Sequence, residues 1–135
     1  MRRDDDRQQA LLMMVHDVGK YIVRTARNLE NPPAGPLPEP LLRMLIADLY
    51  YGKQGVRPSQ RFTELRSQFE VQNPKLVQVG AWLAEIDALE SAVCSQQSEA
   101  IRQVLALALE IDTVLRALLA EARQPPARRG RQRTP

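Results

Sequence analysis

From Lys75 to Arg123 the chain carries no proline and a single glycine, Gly80. Apolar residues recur along this stretch in steps of three and four or their multiples: Val79, Leu83, Ile86 and Val93, then Val104, Ile111, Leu115 and Leu118. That stepping is the period of an amphipathic helix, whereas a half-buried strand would alternate. No β-branched alternating run occurs anywhere else, so the fold class is all-α. One unbroken helix of this length would leave its apolar stripe uncovered in a monomer. The polar run Cys94-Ser95-Gln96-Gln97-Ser98-Glu99 offers Ser95 or Ser98 as the cap of a fresh helix. The pattern therefore predicts helices over 74–94 and 98–123, folded as an antiparallel hairpin. The rival is one long helix paired as a coiled coil.

The N-terminal half reads the same way. Leu11, Val15, Val18, Ile22, Ala26 and Leu29 form one apolar stripe, and Asp4, Asp5 and Asp6 suit the positive end of a helix dipole; a single helix over 4–29 follows. It stops at a proline-rich run, 31–40, with five prolines and a glycine. Such a run cannot continue a helix and should be extended, in part polyproline II, as a spacer or a strap on the domain. Leu41, Leu42, Leu45, Ile46 and Leu49 mark a helix over 41–51, with Gly52 placed to end it. Ser59 is the expected cap of a short helix over 60–71, which buries Phe62, Leu65 and Phe69. Asn73-Pro74 opens the next, with asparagine as cap and proline in the first turn. The simplest assembly is a four- or five-helix bundle over 1–123. The remainder, 124–135, lacks any large apolar residue and is expected to be disordered.

Composition excludes several function classes. At 135 residues the chain is one domain long. One cysteine, Cys94, and one histidine, His16, cannot build a disulfide framework or a Cys/His metal cluster, so no metal and no cofactor is expected. No apolar run approaches the roughly 18 residues of a membrane span. Arg2 to Arg7 mixes both charge signs, unlike a secretory signal, and the expected location is cytoplasmic. The net charge is +3, yet Arg128, Arg129, Arg131 and Arg133 lie in the final segment, where no acid offsets them. Without those four the body is +3 − 4 = −1. The basicity belongs to the tail, which argues against a basic recognition face on the domain.

Placed on a helical wheel, His16 lies more than a right angle from the apolar stripe of its helix. Its neighbours there are Lys20, Arg24 and Arg27, with Gly19 beside it. The wheel puts His16 in solvent on a cationic strip, where a phosphoryl group could be accepted and paired. Gly19 would let another protein approach closely. The run Val15-His16-Asp17-Val18-Gly19-Lys20 resembles the H-box of histidine-kinase dimerisation helices and histidine-phosphotransfer bundles. That resemblance implies His16 as phospho-acceptor, Asp17 as its acid neighbour, Lys20 as the phosphate-pairing cation and a response-regulator receiver as partner. Here Gly19 precedes Lys20, the reverse of the phosphotransfer order, and the H-box proline is missing. The same residues resemble the His-Asp-x-Gly-Lys run of HD-type phosphohydrolases, whose metal site needs several histidines that this chain lacks.

The remaining candidates have plain structural readings. A lone Cys94 is expected as a small buried hydrophobe. Glu85, Asp87, Glu90, Glu110 and Asp112 are expected on a solvated helix face. Tyr50, Tyr51, Phe62, Phe69 and Trp82 suit core packing. Tyr50, Tyr51 and Trp82, with Arg57 and Arg61, also form a candidate partner-binding patch, because aromatics with arginine are typical hot spots. The sequence expectation is a non-catalytic helical adaptor or regulator in a bacterial signalling complex. A receiver or a small GTPase is its candidate partner, and a homodimer is left open. Phosphotransfer through His16 is the alternative. Weak, salt-sensitive nucleic-acid binding by the tail is the second.

Overall fold

The structure, a computed structural model, describes residues 2–27, 29, 37–52, 54–69 and 73–123. Most of the expected strap, 31–36, and the tail, 124–135 with Arg128, Arg129, Arg131 and Arg133, lie outside the described residues. Within them the protein is all-helical. The elements are α1 (Arg2–Met14), the π-turn π1 (Val15–Gly19), α2 (Lys20–Arg27), α3 (Glu39–Ile46), the π-turn π2 (Ala47–Tyr51), α4 (Pro58–Phe69), α5 (Pro74–Ala88), α6 (Glu90–Cys94) and α7 (Ser98–Arg123).

The hairpin forms as two arms. Gln103 Nε2 donates to Glu85 Oε2 at 2.9 Å, and Lys75 Nζ lies 3.9 Å from Glu121. Later residues of α7 thus meet earlier residues of α5, so the arms are antiparallel. Asn73 caps α5, its side chain accepting from Lys75 N at 2.8 Å. The first arm breaks once more than the pattern predicts, at Leu89, which leaves helical dihedrals (φ −91°, ψ 3°) between α5 and α6. The second begins at Ser98, where the periodic run resumes.

α7 is the wall on which the N-terminal helices rest. Val104, Ala108, Ile111 and Leu115 along it are fully buried, as are Leu11, Val18 and Ile22 of the first helical run. Each large aliphatic side chain so buried contributes about 1.5–3 kcal/mol. On the other side, Phe62 and Leu65 of α4 and Leu45, Leu49 and Tyr50 of α3–π2 close the core. Leu37, buried just before α3, is clipped in place by one side chain: its N–H donates to Gln96 Oε1 at 2.8 Å and its carbonyl accepts from Gln96 Nε2 at 3.0 Å. Gln96 holds φ at +61° in the turn before α7, and the α6–α7 turn thereby fixes the entry into α3.

The single helix expected over 4–29 is not uniform. At π1 the hydrogen bond widens to i→i+5, from Lys20 N–H to Val15 carbonyl, and the same happens at π2, from Gly52 N–H to Ala47 carbonyl at 2.9 Å. Successive α-helical residues turn by about 100°, so three in a row rarely all face inward. Each wider turn achieves this: Asp17, Val18 and Gly19 in π1, Asp48, Leu49 and Tyr50 in π2. Each therefore carries an aspartate into the interior. Gly52 ends π2 at φ +63°, where a Cβ would lie 1.9 Å from the Val56 carbonyl oxygen; no other residue fits there without moving the loop. The short helix after it begins at Pro58 rather than 60 and is described as Pro58–Phe69, with 70–71 of the expected span outside the described residues. Ser59 lies inside it, and its hydroxyl donates to Asp87 Oδ2 at 2.6 Å instead of capping.

Candidate functional site

Among the described residues three carboxylates are buried, and each is held by an arginine that reaches from another helix. Asp48, 3% exposed, accepts from Thr25 Oγ1 at 2.6 Å, Thr25 N at 3.2 Å and Arg24 Nη2 at 2.8 Å. Asp112 accepts from Arg27 Nη2 at 2.8 Å and from Arg116 Nε, one turn along its own helix, at 2.9 Å. Asp17 pairs with Arg61 of α4 at 3.0 Å. These ties join α2 to π2, α2 to α7 and π1 to α4. The carboxylates avoid a large desolvation penalty only because charged or hydroxyl donors meet them.

The expected site residues sort against this frame. His16 and Lys20 are exposed on one face of the first helical run, with Arg24 and Arg27 on the same face. Arg24 and Arg27 spend their guanidinium groups on Asp48 and Asp112, and Arg24 also stacks on the Tyr21 ring at 4.2 Å. Asp17 is turned inward to Arg61, away from the solvent that surrounds His16. Gly19 does not present a gap to a partner. It is buried against α7, where an added Cβ would stand 2.8 Å from Asp112 Oδ1; the close approach is internal.

The aromatic patch is divided. Tyr50 is 1% exposed, with its hydroxyl donating to the Ile86 carbonyl at 2.8 Å; burial pushes its phenol well above the ordinary value, so it stays protonated as a donor. It is core and cannot anchor a partner. Arg57 ties the loop after π2 to the end of the first hairpin arm, 2.8 Å from Glu90 and 3.5 Å from Asp87, with the Tyr50 ring 5.6 Å away. Its hydrogen bond to Glu90 raises its pKa further. Arg61 is committed to Asp17 and Glu64. Trp82 is half-buried against the core. Of the five, Tyr51 alone is broadly exposed, at 61%. Cys94, expected inside, is exposed, next to Val93, the buried residue of α6 on the periodic apolar stripe. Asp112, expected on a solvated face, is buried for the reason given above.

Sequence reasoning missed the surface on which Tyr51 stands. Pro40, Met44, Ala47 and Tyr51 are all exposed. They follow one another at spacings of four, three and four, an apolar stripe on the outer side of α3–π2. Leu42, Leu45 and Leu49 form the opposite, buried side. The signal was present in the sequence, since this helix is apolar on more than one face, but the richer inner stripe masks it. Among the described residues no group of three or more histidines, cysteines and acids is placed to hold a metal ion, and no helix is long and apolar enough to cross a membrane. No protein-family model matches the chain, and comparison with curated proteins and with solved structures finds no match.

Proposed function

We propose that the protein is a non-catalytic helical interaction module, an adaptor or regulator in a bacterial cytoplasmic signalling complex, and that it docks through the outer face of α3–π2. One observation carries this reading: Met44 and Tyr51, 49% and 61% exposed, stand on one stripe of a helix whose inner face is already packed. Large apolar side chains aligned on a helix face are what partner grooves and partner helices take up. The ion-pair frame supports it, because it holds α3–π2 rigidly to α2 and so preorganises the surface. A photo-crosslinking residue placed at Tyr51 in host cells should give a discrete protein adduct, and the same residue at Thr63, exposed on α4, should not. Equal labelling from both positions, or none from Tyr51, refutes the reading. A receiver domain and a small GTPase are the first partners to test.

A second reading rests on a different observation: His16 is exposed and shares its face with Lys20. Here the imidazole accepts a phosphoryl group. With phosphoramidate as donor, a ring nitrogen attacks phosphorus and ammonia leaves. Acid-labile phosphate that is lost in His16→Gln, while the helical content stays unchanged, supports it. Transfer that survives His16→Gln refutes it.

A further inference from the structure

Resting on the docking reading above, we infer that the occupant of the α3–π2 face is an acidic amphipathic helix of a partner protein. The stripe Pro40–Met44–Ala47–Tyr51 spans three helical steps, about 16 Å at 1.5 Å per residue. That is the length over which a helix presents apolar residues at i, i+4, i+7 and i+11. The shape alone names a helix; the edges name its charge.

On the α2 edge, Arg24 reaches across to Asp48, the residue after Ala47, and its guanidinium stays half in solvent, with a side chain 55% exposed. One turn before it stands Lys20, exposed, with no ion pair to a carboxylate among the described residues. On the other edge, Arg43 is 78% exposed and shares its charge with Glu39 at 2.7 Å. Asp48 itself is buried, so the negative charge that balances Arg24 is hidden from a visitor while the positive charge is not. Glu39 is the one exposed acid on α3–π2. An apolar stripe with Arg24 on one side, Lys20 exposed one turn along the same helix, and Arg43 on the other favours aspartate and glutamate on the flanks of a helix that lies along it.

The same edges argue against a second copy of this chain. Two copies packed stripe to stripe about a twofold axis place the Lys20–Arg24 edge either on itself or on the Arg43 edge. Cations meet cations in both arrangements, with Glu39 beside Arg43 as the one acid to offset them in the second, and juxtaposed like charges across an interface are costly.

The test uses the full chain and two synthetic peptides. Both carry the same leucines at i, i+4, i+7 and i+11; one has glutamates on its flanks, the other lysines. Amide chemical shifts of the protein are followed during titration. The acidic peptide should perturb residues 40–51 and 20–24, and should bind at least about tenfold more tightly than the basic one. Its affinity should fall with added salt and fall several-fold further in Lys20→Glu, a substitution at an exposed position. Equal binding of the two peptides, shifts mapping elsewhere, or indifference to Lys20→Glu overturns the inference. So does saturable binding of anionic phosphatidylserine vesicles at the same residues when the acidic peptide gives none. The two levels fail separately. A crosslink from Tyr51 whose partner segment is neutral or basic, or is this chain itself, overturns the acidic helix and leaves the docking face standing. Absence of any crosslink refutes the face.

Discussion

Thr25→Val tests whether the interior tie at Asp48 is held by its hydroxyl or by its ion pair. The side chain of Thr25 is fully buried and donates to Asp48 Oδ2 at 2.6 Å. Valine keeps the volume and deletes that donor. A hydrogen bond to a charged group contributes about 1.5–3 kcal/mol. Some of this is offset, because a methyl group is easier to bury than a hydroxyl. The expected loss is about 2 kcal/mol. Arg24→Ala removes the other partner, 2.8 Å away, but that side chain is 55% exposed, so water screens the pair and the expected loss is at most about 1 kcal/mol. For a chain of this length 1 kcal/mol moves the melting temperature by about 3–5 °C. Thr25→Val should therefore lower it by roughly 6–10 °C and Arg24→Ala by less than about 5 °C. Asp48→Ala should cost about 2–3 kcal/mol, since it strands the hydroxyl and the guanidinium together. In the Thr25→Val/Asp48→Ala double variant the losses should fall short of their sum by at least about 1 kcal/mol. Urea unfolding followed by circular dichroism measures all four. A larger loss from Arg24→Ala than from Thr25→Val, or additive losses in the double variant, refutes the assignment of the tie to the hydroxyl.

Two further perturbations probe the frame. Tyr50→Phe deletes the bond to the Ile86 carbonyl and should cost about 1 kcal/mol at neutral pH; because burial raises the folded-state phenol above the ordinary 10.0, the wild type holds the full stability of this group below that value and loses it as pH rises above it, so the alkaline limb of an unfolding-versus-pH curve should be shallower in the variant. Gly19→Ala gains up to about 1 kcal/mol of helix propensity but drives a Cβ to 2.8 Å from Asp112 Oδ1, on a carboxylate that Arg116 holds at Oδ1 and Arg27 at Oδ2; a net loss of about 1–2 kcal/mol is expected, and it should shrink when Asp112→Ala removes the obstacle, as thermal melts of the pair would show.

What was legible in the sequence is what periodicity encodes. The buried positions Leu11, Val18, Ile22, Phe62, Leu65, Val79, Ile86, Val104, Ile111 and Leu115 all follow from steps of three and four, and the Asn73 cap and the Gly52 stop follow from side-chain chemistry. What was illegible depends on a change of period or on contacts distant in sequence. A fixed 100° per residue cannot see π1 or π2, where three consecutive residues turn inward. Nor can it see that Asp17, Asp48 and Asp112, each a polar residue in an amphipathic run, find donors on other elements, with Arg27 meeting Asp112 across 85 positions. His16 is exposed, where the wheel puts it.

The two illegible features share a cause. A wide turn gains inward-facing positions at the expense of ordinary helix geometry, and in both cases one position gained goes to an aspartate rather than to another aliphatic side chain. An aspartate so placed is stable only if a donor arrives from elsewhere, so each π-turn commits its helix to one neighbour in one register: π1 to α4 through Arg61, π2 to α2 through Arg24 and Thr25. Aliphatic packing alone tolerates sliding between helices; a buried carboxylate with directional donors does not. The frame therefore fixes where α3–π2 stands relative to α2, and with it the distance between the apolar stripe and the Lys20–Arg24 edge. That spacing is the geometry a helical partner would read.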